Sequence, residues 1–159
     1  MRDHRLDLTF YGRGEMFSIP ADHDEFTRFL DAVKRLAADD KKVPAYYMFA
    51  ATPEVSVVIS IHDVQTAHAI MGGDGNFGDV LVDKDVALFL RGRPGPVLLR
   101  LPPKGPLGDM LNGLCDTRYG EELPGCVMLA DDQSHPIFFR LDEIQYVVFR
   151  SRVLQGAEG

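Results

Sequence analysis

The stretch FRLDEIQYV, residues 139–147, repeats a pattern already present in ISIHDVQTA, residues 59–67. Each places an apolar strand before an acid, a branched apolar residue and a glutamine, so that Asp63, Val64 and Gln65 stand where Glu143, Ile144 and Gln145 recur. Working outward, residues 43–65 align with 123–145 without a gap, and Pro44, Met48, Ala50 and Gln65 meet Pro124, Met128, Ala130 and Gln145. At the same offset Leu8, Gly12 and Arg13 meet Leu88, Gly92 and Arg93. One step further along, Phe26, Phe29, Leu30 and Val33 meet Leu107, Met110, Leu111 and Leu114. A near-constant offset shared by successive elements is the mark of an internal repeat.

The elements follow from periodicity. LDLTFY (6–11) alternates as a strand, GRGE is a turn, and MFSIP is a second strand stopped by Pro20. Phe26, Phe29, Leu30, Val33 and Ala37 then recur at helical spacing, with Asp22 and Glu25 at capping-box separation and Lys34 and Arg35 in the last turns. AYYMFAA and VSVVISI read as strands. The second half repeats the order: VALFL, the turn RGRPG, PVLLRL, a shorter helix from about Pro106, the hairpin GCVMLA/IFFRL and a last strand QYVVF. The halves are expected to diverge after the glutamines, where TAHAIMGGDGNFGD starts as a short helix and ends as a glycine-rich loop.

The expected fold is therefore α+β: a tandem duplication of a β-β-α-β-β unit, with antiparallel sheets and one main helix per copy. The first repeat spans 5–65, a connector with the glycine-rich loop spans 66–85, the second repeat spans 86–150, and 151–159 is a frayed tail. A unit of this size builds only a thin core, so the two are expected to form one compact body.

Composition narrows the function. At 159 residues and 45% hydrophobic content the chain can bury a core. No apolar run approaches the ~20 residues of a membrane helix, and the N-terminus lacks the apolar segment of a secretory signal. Two cysteines, Cys115 and Cys126, read as reduced thiols of a cytoplasmic protein. The net charge of −7 argues against bulk nucleic-acid binding through phosphate neutralisation.

Two features stand out as candidate sites. The acids Asp63 and Glu143 occupy matching places, as a local backbone acceptor in each copy or as a carboxylate pair across a cleft. Residues 86–108 contain no acid, while Arg91, Arg93, Arg100 and Lys104 supply four cations, which suits an anion or an acidic partner face. No phosphate-binding fingerprint, calcium loop, catalytic motif, metal spacing or cofactor signature occurs. The leading expectation is a non-enzymatic cytoplasmic binding or regulatory protein acting on another protein, such as a small acidic inhibitor. The alternatives are a binder of a small anionic ligand or nucleic acid through 86–108, and an enzyme with its site between the repeats.

Overall fold

The computed structural model describes residues 4–38, 45–49, 51–71, 81, 83–99, 126–130, 133, 135–140 and 143–151. It is an α+β protein built on antiparallel sheets with one main helix. The helix predicted from about Pro106, the glycine-rich loop 72–79 and the tail from 152 lie outside the described residues, as do Arg100 and Lys104.

Strands β1 (His4–Phe10) and β2 (Phe17–Ala21) form a hairpin that leads into α1 (His23–Ala37). The helix starts where the sequence places it. The Asp22 carboxylate accepts the Glu25 amide at 2.8 Å and Glu25 accepts the Asp22 amide at 3.4 Å, closing the capping box. Phe29 is fully buried and meets Phe49 and Tyr47 at ring distances of 5.3 and 5.6 Å. Ala32 and Leu36, absent from the expected stripe, pack with Ile61. The chain continues through β3 (Tyr46–Phe49), β4 (Val55–Ser60), a 3-10 turn (Ile61–Asp63) and β5 (Val64–Met71). Then come β6 (Val86–Leu90), β7 (Val97–Leu99), β8 (Cys126–Ala130), β9 (Pro136–Arg140) and β10 (Ile144–Arg150).

These strands form a three-stranded sheet in the order β2-β1-β5, a five-stranded sheet in the order β3-β4-β10-β6-β7, and the β8-β9 hairpin. The five-stranded sheet is the middle layer. Its side chains Val57, Ile59, Ala87, Phe89, Tyr146 and Val148 pack with Leu6, Leu8, Phe10, Phe17 and Ile19 of the three-stranded sheet. The alternate residues Val58, Leu88, Val147 and Phe149 face the other way and pack with Phe139 of β9.

The ladders recur along the chain with a constant shift. Leu8 opposes Phe17 and Leu88 opposes Val97, while Tyr46 opposes Ser60 and Cys126 opposes Arg140. Phe10 opposes Val64 and Leu90 opposes Ile144, and both ladders slip by one residue directly afterwards. The turns after β1 and β6 each carry a glycine at positive φ, Gly12 at 81° and Gly92 at 79°, where a Cβ would be strained.

Two local expectations are corrected. Residues 64–71 are a strand and not the start of a helix, so the chain continues as a strand after Gln65, as it does after Gln145. Ala67 and Ala69 favour helix, but the ladder with β1 overrides that local preference. Pro20 does not stop β2; it lies within the strand, opposite Arg5. The strand is at the edge of its sheet, where a missing N–H costs no ladder bond.

Candidate functional site

Asp63 closes the 3-10 turn after β4 and is 4% exposed. A buried carboxylate needs donors, and it has several. Ser60 Oγ donates to it at 2.6 Å, Arg91 Nε and Nη2 at 3.0 and 2.6 Å, and Gln145 Nε2 at 3.4 Å. Burial pushes the carboxyl pKa up, but the hydrogen bonds from Arg91 and Ser60 and the Arg91 charge outweigh it and hold the value below the ordinary range. The same bonds hold the Arg91 guanidinium firmly protonated.

Arg91 also reaches Glu143, Nη1 to Oε2 at 3.5 Å, and both side chains remain 42% exposed. Asp63 and Glu143 are thus brought together as two carboxylates on one guanidinium. Their backbones are placed alike: the Tyr11 amide donates to the Asp63 carbonyl at 3.1 Å and the Arg91 amide to the Glu143 carbonyl at 2.7 Å. Arg93 is exposed in the turn after β6.

Sequence reasoning missed the other half of this network. Gln145 is 1% exposed on the central strand β10. It donates to the Tyr11 carbonyl at 2.8 Å and accepts from Arg13 Nε at 2.6 Å. The Arg13 side chain is 4% exposed. It donates to the Leu90 carbonyl at 2.7 Å, and its guanidinium carbon lies 5.2 Å from the Phe89 ring centre and 5.7 Å from that of Tyr146. Phe89, Tyr146 and Phe10 form a stack beneath it, with ring distances of 4.2 and 4.5 Å. The signal present in the sequence is two recurring pairs, Arg13/Arg93 and Gln65/Gln145, which by themselves point only to an expected repeat. Of these side chains those of Arg13 and Gln145 are withdrawn from solvent, whereas Arg93 and Gln65 are exposed.

The network borders an open cleft of about 800 Å³ lined by Tyr11, Leu36, Ile61, His62, Asp63 and Arg91, together with Val33 and Val64. Tyr11 stands exposed beside it. The arrangement offers an apolar wall, an aromatic contact and a charged rim. Among the described residues no group of three or more His, Cys, Asp or Glu is placed to hold a metal ion. Among them, too, no helix is long and apolar enough to cross a membrane.

What the fold and site define is an α+β protein of antiparallel sheets with a charged hub at the seam between sheets. Comparison with models of protein families, with curated proteins and with solved structures gives no match.

Proposed function

We propose that the protein is a non-enzymatic cytoplasmic binding or regulatory module of the small acidic inhibitor kind, and that a basic partner protein docks over the cleft beside Asp63, Arg91 and Glu143. The observation that carries this reading is the sharing of one guanidinium by two carboxylates. Asp63 takes the bidentate contact and Glu143 the longer one, so the group keeps an excess negative charge at its solvent side. Tyr11, 57% exposed, supplies the kind of aromatic anchor that interfaces favour. The overall charge of −7 steers a basic partner toward the surface. The anion-binding alternative loses strength because Arg91, first of its four cations, is already engaged by two acids. The paired-acid enzyme loses strength because Asp63 is held ionised by three side chains and is a poor proton donor at neutral pH.

We further infer that the chain is a tandem duplication of a β-β-α-β-β unit extended by one strand. The support is the recurrence of three ladders at one constant shift, including the slip beside Gln65 and Gln145.

Immobilised protein tests the binding reading. Extract from the native host should yield a basic protein at low salt that elutes as salt is raised and binds again when purified. Retention only of acidic proteins or nucleic acid contradicts it.

A further inference from the structure

We infer that the outer edge of β5 is a docking site for a second copy of this chain, whose β9 adds to it as an antiparallel strand with Ala67 opposite Phe138. Three ladders in the first half of the chain have counterparts in the second half: β1-β2 in β6-β7, β1-β5 in β6-β10, and β3-β4 in β8-β9. One described ladder has none. β4 pairs with β10, with Ile59 opposite Tyr146, Val58 opposite Val147 and Val57 opposite Val148. The strands in the matching places are β9 and β5, which no described ladder joins. The same shift sets Phe139 opposite Thr66, Phe138 opposite Ala67 and Ile137 opposite His68.

One chain cannot make this pairing with itself. β5 belongs to the layer on one face of the five-stranded sheet, where Val64 and Ala67 pack. β9 lies on the opposite face, where Phe139 packs against Val147 and Phe149. A second copy removes the obstacle, because its β9 comes from outside. The exposed side chains agree. Phe138 is 58% exposed on β9, whereas Val58 at the matching place in β4 is fully buried. Thr66 and His68 on β5 are exposed as well. An unpaired strand edge is a template for another strand, and an apolar residue beside it adds burial. The contact is head-to-tail, so copies add in series, each joining β5 edge to β9 edge, until a ring closes. The shared negative charge opposes it, so salt strengthens it. This inference is independent of the basic-partner reading.

The test is cross-linking of two singly substituted chains, Ala67→Cys and Phe138→Cys, with Cys115 and Cys126 changed to alanine in both. Mixed and oxidised, they should give a dimer containing both chains, and Ala67→Cys mixed with the off-register Arg140→Cys should not. Light scattering on the unaltered protein should show a mass that rises with protein concentration and with salt, and Phe138→Lys should return it to the monomer at unchanged Tm. A monomer at every concentration overturns the inference. So does equal cross-linking by the off-register pair, or a cross-link that forms only within a chain carrying both Ala67→Cys and Phe138→Cys.

Discussion

Arg91 grips Asp63 through two nitrogens, Nε at 3.0 Å and Nη2 at 2.6 Å, across 28 residues of chain. The contact ties the turn after β4 to the turn after β6, two strands that flank β10 in the middle sheet. A fork-to-carboxylate bond fixes orientation as well as distance.

Asp63→Ala should destabilise the protein by about 2 kcal/mol in urea unfolding. Removing one partner of a buried pair costs about 3–5 kcal/mol, and the partial exposure of Arg91 reduces that figure. Arg91→Lys should recover little, because an ammonium cannot form the two-pronged bond. Equal stability of Asp63→Ala and the wild type would remove the hub from the account.

Acid should act through the same group. The native pKa of Asp63 lies below its ordinary value of 3.8, and that of Asp7 does too: burial raises it, but Arg5 and Ser18 more than offset this. A carboxyl whose native pKa is depressed stabilises the fold fully above the unfolded value and loses that contribution as pH falls through the native one. Unfolding midpoints should therefore hold from neutral pH down to about 5 as far as these two groups are concerned, and drop below about 4. Asp63→Asn should be less stable at pH 7 and lose less on acidification. An acid limb of unchanged steepness in Asp63→Asn would contradict this.

Arg13→Ala should cost about 2–3 kcal/mol, since it leaves Gln145 and the Leu90 carbonyl without a charged donor and removes the cation from the ring faces. Arg13→Lys should lie close to Arg13→Ala. Thermal melts of the two variants decide it, and a Lys variant as stable as wild type would show that charge alone suffices.

Phe29→Asp should leave the chain unfolded or nearly so, because it puts an unpaired charge at a position with no exposure. The circular-dichroism melt should lose its cooperative transition; a melt near that of wild type would refute the core described around α1.

What was legible in the sequence was what local chemistry decides. Asp22 and Glu25 announced the start of α1, and Phe29 announced its buried face. What was not legible depended on partners distant in the chain. Thr66 to Met71 look weakly helical until β1 lies beside them. Arg13 follows a turn glycine and looks like a solvated charge; its burial comes from Phe89 and Tyr146, which lie more than seventy residues on. Asp63 and Glu143 read as a pair from their matching places in the sequence, but the guanidinium between them belongs to the acid-free segment, whose composition points to an anion instead.

The docking proposal meets its most direct test in the affinity of the recovered basic partner for wild type and for Glu143→Gln at low and at high salt. Glu143 is half-exposed and held by a long contact, so its loss leaves the fold intact. The account predicts weaker binding by Glu143→Gln at low salt, at unchanged Tm, with the gap between the two proteins closing as salt rises. Equal dissociation constants at low salt would contradict it.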